Sequence, residues 1–341
     1  MDLIELHTDE ERSAATFARP EGHFAHDPRI HCWATLTPEA STAIFRSMDW
    51  LAPDYRGVYE KMEKRFSLDF TNSKDVISST PLVNEGEAHQ EHRRVIARHM
   101  AERLKAIEQA LPALIARFTE PVREKARVEL MSECILPFVD AINMYLCGVA
   151  VPDNEITVSR IFDPLASIGA RRSIEAGLQK IADEAARSGV TSPHDAMLYH
   201  ALGVDTLSSS IGQTLYAALK GLPPTLLPEV AFPDDFVGTG VPFVQRRAVR
   251  DNTVLGHDFK EGELIRVYLL SYLYSEEGAD PDKVFGTGRH LCVGRKLSQV
   301  VWRDLARGLN RIERTVSLER HALRQADYLF AYPQTLEIAL T

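Results

Sequence analysis

The chain has 341 residues, 45% hydrophobic and 26% charged, with a formal net charge of −9. That balance describes an ordinary globular protein with chain enough for a core, and an acidic excess without a compensating basic block excludes general nucleic-acid binding. No run approaches about twenty apolar residues, and Met1-Asp2-Leu3-Ile4-Glu5-Leu6-His7 has no basic region before an apolar stretch, so neither a membrane anchor nor a signal peptide is expected.

Residues 1–80 carry the least pattern. Thr37-Pro38-Glu39-Ala40 reads as a helix start, with Thr37 as N-cap and Pro38 in the first position. A second short helix is expected from Pro53 to Phe66. Cys32 and Trp33 read as core or pocket wall. In Glu85-Gly86-Glu87-Ala88-His89-Gln90-Glu91-His92-Arg93, helical spacing puts His89 and Arg93 on one face, where together they can bind an anion; a solvated charged face is the plainer alternative. Leu104, Ile107, Leu111, Leu114 and Ile115 recur at helical spacing, with a kink or restart expected at Pro112. A further helix over 130–146 stops at Gly148 with Pro152 beyond, and another is read over 161–186. Four scattered cysteines, Cys32, Cys134, Cys147 and Cys292, suit a reducing compartment and give no disulfide framework.

From Ala196 to Leu219 the chain is mostly apolar at helical period, interrupted by Gly203-Val204-Asp205-Thr206. Gly is costly inside a helix, and Asp and Thr are expensive in an apolar one unless they serve something. Two readings stand: a capped break between two shorter helices, or a local opening of one long helix. Residues 243–267 alternate and contain Gly turns, so hairpin strands are expected. Then comes Phe285-Gly286-Thr287-Gly288-Arg289-His290-Leu291-Cys292-Val293-Gly294, followed by a helix over 296–312. The glycines permit tight turns and close approach to a flat ligand. Cys292 falls just before a helix N-terminus, where unpaired N–H groups favour a thiolate, a good axial ligand for heme iron. Arg289 and His290 suit heme propionates.

This pattern, Phe-Gly-x-Gly-x-His-x-Cys-x-Gly, resembles the heme-binding loop of the cytochrome P450 family, and the resemblance extends over roughly residues 80–341. It implies a mainly α fold with small β-sheets, in a compact, truncated form. It also implies one domain over 1–341: a substrate-side region (1–80), a helical core (81–230), and a part with the small sheet, cysteine loop and C-terminal strands (231–341). By the same resemblance Cys292 ligates the iron of heme b (iron protoporphyrin IX), while His89, Arg93, Arg246 and His290 hold propionates. Thr206 would hydrogen-bond dioxygen and Asp205 would feed it protons, although Leu202 replaces the small residue usual before Gly203. The family's Glu-x-x-Arg appears as Glu229-Val230-Ala231-Phe232, without its arginine, leaving Arg247 or Arg250 as conceivable substitutes. The meander before the cysteine loop is largely deleted. The tail over 329–340 is similar to the strands that close the family's substrate pocket.

The implied function is cytoplasmic monooxygenation of a small organic metabolite in a biosynthetic pathway, with O2 and electrons from a ferredoxin and ferredoxin reductase. Two alternatives remain: a heme enzyme needing no electron donor (peroxygenase, isomerase or dehydratase), and a heme-free auxiliary of a partner enzyme. Bulky candidates for the pocket wall are Trp33, Phe45, Phe162 and Phe330, which read equally as core.

Overall fold

The computed structural model describes residues 1–3, 6, 9–149, 158–163, 166–189, 192–323 and 333–341. Helix α1 (Glu10–Ala18) starts where the Asp9 carboxylate accepts from the Arg12 amide. Strands β1 (Phe24–Asp27) and β2 (Cys32–Thr35) form a hairpin, and α2 (Pro38–Arg46) follows with Thr37 as cap and Pro38 in its first turn, as expected. Strand β3 (Trp50–Leu51) and helices α3 (Tyr55–Phe66) and α4 (Thr71–Ser79) complete this region.

Helix α5 (Gly86–Phe118) runs unbroken through Pro112, so the restart expected there does not occur. The proline removes one amide donor, but Pro112 and Glu108, whose carbonyl loses its partner, are both exposed to water. After α6 (Glu120–Glu124) and β4 (Arg127–Glu129) comes a π-helical turn, Met131–Ile135, and then α7 (Leu136–Cys147). Pro137 cannot donate into a regular α-helix at this point, and the wider turn absorbs the missing bond. Gly148 ends α7 in the left-handed region, φ 73°; the rest of that corner, 150–153, lies outside the described residues. A 3-10 turn, Val158–Phe162, precedes α8 (Ile168–Ser188), which Ser167 caps, so the helix expected from 161 begins later.

Helix α9 (Pro193–Tyr199), a π-helical turn (His200–Val204) and α10 (Asp205–Leu219) form one rod without a capped break. The opening reading of Gly203 therefore holds. Next come β5 (Thr225–Leu226), a 3-10 turn (Leu227–Glu229) and an irregular stretch to β6 (Phe243–Ala248). Strands β7 (Asn252–Val254), β8 (His257–Phe259) and β9 (Leu264–Tyr268) follow, then α11 (Ser271–Tyr274), the cysteine loop, α12 (Arg295–Leu309), β10 (Thr315–Leu323) and β11 (Pro333–Leu340).

The five-stranded sheet has the order β1-β2-β9-β6-β3, with only the β2–β9 pair parallel. Three of its strands come from the first eighty residues, whose role the sequence did not show. Strands β4-β11-β10-β5 form a second sheet and β7-β8 a hairpin. Helix α12 buries Leu297, Val301, Trp302, Leu305 and Leu309 on one stripe, the amphipathic spacing expected of it. It meets α5 so closely that a Cβ on Gly308 would lie 2.3 Å from Ile115 Cγ2, a separation only glycine permits.

Candidate active site

A cavity of about 280 Å³ lies between the α9–α10 rod and the cysteine loop. Its walls are chiefly apolar: Ile96 and Met100 of α5, Val139 and Ile142 of α7, Leu202 of the π turn, and Val244 of β6. Of the bulky residues considered as walls, Phe45 lines the cavity. Trp33 packs on Phe259, Phe162 packs on Tyr55, and Phe330 lies outside the described residues. The described part of the tail pairs β11 with β10 and β4, and none of its residues lines the cavity.

Cys292 forms part of the cavity wall, and among the described residues it is the one exposed cysteine. Gly286 turns the chain into the loop at φ 78°, ψ −179°, which side chains do not tolerate, and the Cys292 amide donates to Phe285 O at 2.9 Å to close it. Amide N–H groups of Gly294 and Arg295, at the start of α12, favour the thiolate as expected. Burial outweighs them, and the thiol is pushed above its ordinary pKa. Metal coordination would deprotonate such a thiol outright.

Basic side chains of Arg and His border the same wall. Strand alternation turns Val244 and Arg246 of β6 toward the cavity while Arg247 is exposed. Arg246 is 2% exposed; its Nη1 donates to Gln245 O at 2.9 Å, and its Nη2 has no partner. Burial pulls this guanidinium down to about 10, still charged at neutral pH. Arg93 lines the cavity, and His89 is buried with Nε2 unpartnered, its ring 4.6 Å from that of His290. The buried Arg246 guanidinium with its unpaired nitrogen calls for an anion, while burial lowers the His89 pKa, so that its ring offers a neutral hydrogen-bonding nitrogen rather than a charge. His290 differs, because Nδ1 lies 3.1 Å from Pro81 O and Nε2 lies 3.1 Å from Glu85 Oε1. The Arg289 guanidinium is likewise engaged, by Glu85 and the carbonyls of Ser47 and Trp50.

On the opposite wall, the π turn frees carbonyls that side chains then satisfy. The Thr206 hydroxyl lies 2.5 Å from Leu202 O and 3.1 Å from Gly203 O, and the Ser208 hydroxyl donates to Val204 O at 2.7 Å. Thr206 lines the cavity, whereas Asp205 turns away from it and accepts from the Ser159 hydroxyl. A second acid lies near Asp205 on α7: burial first, and then the Asp205 charge, push Asp140 up to about 6. Sequence reasoning singled out neither Ser159 nor Asp140, because contacts between elements put them there. A carboxyl raised on folding binds its proton more tightly in the folded than in the unfolded chain. Stability therefore falls as pH rises from the ordinary carboxylate range through 6 and stays lower above it. Asp140→Asn is expected to raise the thermal midpoint near pH 8, with most of that gap closing near about pH 4. An equal shift at both pH values would contradict the assignment.

Glu229 is exposed in the 3-10 turn after α10, so its missing arginine leaves no buried unpaired charge. Arg250 pairs instead with Asp49 at 2.5 Å. The helix expected to carry Glu-x-x-Arg is absent: a 3-10 turn (Leu227–Glu229) is followed by residues 230–236 without regular secondary structure, which lie against α12. Trp302 Nε1 donates to Pro233 O at 2.9 Å, Arg303 Nε to Asp234 O at 3.0 Å, and Asn310 Nδ2 to the carbonyls of Leu227 and Val230.

No family model and no curated protein matches the chain in sequence. Solved structures match it in fold. The versatile cytochrome P450 enzyme CYP109B1 from Bacillus subtilis is 12% identical with a TM-score of 0.70, the match covering 98% of this chain and 100% of that one. P450BioI, solved with acyl carrier protein ligated to hexadec-9Z-enoic acid, is 14% identical at 0.76, covering 99% of each. P450 RauA, solved with a biosynthetic intermediate of aurachin RE, is 16% identical at 0.76, covering 100% and 98%. The chain therefore has the cytochrome P450 fold, and the likeness includes residues 1–80, beyond the part where motifs were legible. No described helix is long and apolar enough to cross a membrane.

Proposed function

We propose that this chain is a heme-thiolate monooxygenase that oxidises a small, largely apolar organic metabolite. The observation that carries this reading is that Cys292 and Thr206 line one apolar cavity together with the buried Arg246 guanidinium. Cys292 Sγ would ligate the iron of heme b, and Arg246, His89 and Arg93 would take its propionates. The orphaned Nη2 of Arg246 and Nε2 of His89 support that fit. When bound, the heme would supply dioxygen activation using external electrons. The protein's own part is then to hold the thiol in a closed loop, exclude water with apolar walls, and pass protons. The Thr206 hydroxyl at the cavity, with the Asp205 carboxylate next in the chain and held by Ser159, would serve that proton transfer. A biosynthetic role is supported by neighbours of this fold such as RauA, and a ferredoxin pair is the proposed electron source.

The test is heme content with a carbon-monoxide difference spectrum of the reduced protein. A red-shifted, thiolate-type band is expected; purified protein that takes up no heme would favour a heme-free auxiliary role instead. Thr206→Val keeps volume but loses the hydroxyl. It is expected to retain heme while product formed per dioxygen consumed falls about tenfold or more. Unchanged coupling would remove Thr206 from the proton route. A donor-independent enzyme is the second reading, favoured by the shortened thiolate side, where a 3-10 turn and irregular chain replace a helix. Turnover with hydrogen peroxide but not with ferredoxin and NADPH would select it.

A further inference from the structure

The cysteine loop needs something to hold it, since the chain lacks the Glu-x-x-Arg pair and, as read from the sequence, most of the meander. Cys292 N–H and Gly286 N–H bond only within the local turn, to Phe285 O and Lys283 O. The hydrogen bonds of residues 227–236 fall on α12, and Phe236 meets the loop only through an apolar edge-on contact with Phe285, ring centroids 5.9 Å apart. Among the described residues, hydrogen bonds from loop side chains to distant parts of the chain run through Arg289 and His290, and both converge on Glu85. Its Oε2 accepts from Arg289 Nε at 2.9 Å, and its Oε1 lies 3.4 Å from Arg289 Nη2 and 3.1 Å from His290 Nε2. Arg289 also donates to Ser47 O and Trp50 O at 3.2 and 3.3 Å, and His290 Nδ1 sits 3.1 Å from Pro81 O. The side chains of Glu85 and Arg289 are each 21% exposed and that of His290 is 3% exposed, so water screens this group weakly. Burial works to raise the Glu85 pKa, but the hydrogen bonds from His290 and Arg289 outweigh it and hold the carboxylate ionised.

From this geometry we infer that Glu85 is a positioning residue. Standing at the start of α5, it clamps Arg289 and His290 and thereby fixes the loop that presents Cys292, in place of the absent Glu-x-x-Arg pair. The inference deepens the proposed function and rests on it for the role of Cys292. It also assigns His290 to the clamp, leaving the propionates to Arg246, His89 and Arg93. A Glu at the N-terminal edge of a helix could equally favour the helix dipole, but its side chain makes no cap hydrogen bond and points to the loop instead.

The test compares Glu85→Ala, Arg289→Gln and their double variant, as purified and after heme loading, with Glu85→Asp as the conservative control. In the as-purified chain, amide hydrogen exchange of the peptide spanning 285–294 is expected to rise about tenfold or more in each single variant, the scale of one charge-assisted hydrogen bond. The double variant should exchange no faster than the faster single one, and amides of α12 should be unchanged. In the loaded protein, heme transfer to excess apomyoglobin should accelerate by a similar factor, and the red shift of the reduced carbon-monoxide band should weaken. Glu85→Asp should recover part of both. Single variants that exchange and release heme as wild type does, or effects that simply add, would overturn the clamp. Wild-type protein that takes up no heme would sink the functional reading, while the exchange measurement would still decide the clamp.

Discussion

Cys292→Ser protein is expected to fold as wild type does and to lose the thiolate-type carbon-monoxide band completely. The hydroxyl of serine is far too weak an acid to replace a thiolate as iron ligand. Folding should survive because Cys292 faces the cavity rather than the packed core. The other cysteines offer no rescue. Cys32, Cys134 and Cys147 are all buried, and burial pushes the Cys134 thiol up to about 12 and the Cys147 thiol to about 11. Cys292 differs in having the helix-start amides of Gly294 and Arg295 and the charges of Arg93 and Arg295 working against its burial. A Cys292→His protein is expected to keep some heme through an imidazole ligand and show an unshifted band. Far-UV circular dichroism checks the fold, and the reduced carbon-monoxide spectrum checks the ligand. A thiolate-type band surviving in Cys292→Ser would mean that another residue ligates the iron.

Trp302→Ala is expected to cost the most in stability. The side chain is fully buried, packs against Phe232 and Phe236, and donates from Nε1 to Pro233 O. Truncating such a residue costs about 3–5 kcal/mol through lost burial and the cavity left behind. The orphaned carbonyl adds about 1–3 kcal/mol if water cannot reach it. That is a large part of a total stability of about 5–15 kcal/mol. The change would also loosen residues 232–236 on α12, leaving them tied by Arg303 to Asp234 O and by Gln299 to Asp235. Trp302→Phe separates the contributions. It keeps most of the burial and loses the hydrogen bond, so a smaller loss of about 1–2 kcal/mol is expected. Urea unfolding followed by circular dichroism measures both, and equal losses in the two variants would show that the hydrogen bond, not the packing, dominates.

Much of the site was legible because its residues sit in short local patterns. The cysteine loop declares its turns through Gly286, and strand alternation brings Arg246 rather than Arg247 to the cavity. Gly203 marked an opening in a helix, and the π turn found there accounts for it without any close contact: a Cβ on Gly203 would meet Asn143 Oδ1 at an ordinary 3.8 Å. Pro112 does not restart the helix, because the residues at both ends of its lost bond, Glu108 and Pro112, are exposed to water. The first eighty residues were opaque for another reason. Strands β2 and β3 gain their pairing from β9 and β6, more than 190 residues away, so no local periodicity announces them.

For this protein, the order of residues alone determined the mainly helical class, the cysteine loop, the Asp205–Thr206 pair and the cationic face of α5, since each depends on neighbours in the chain. Only the tertiary structure decided which charges meet. It turned Asp205 toward Ser159 and near Asp140, left Glu229 in solvent, and bound Glu85 to Arg289 and His290 across some 200 residues. Hydrogen bonds and ion pairs between separate elements depend on how those elements pack, and packing is settled by burial over the whole chain rather than by any short stretch of it.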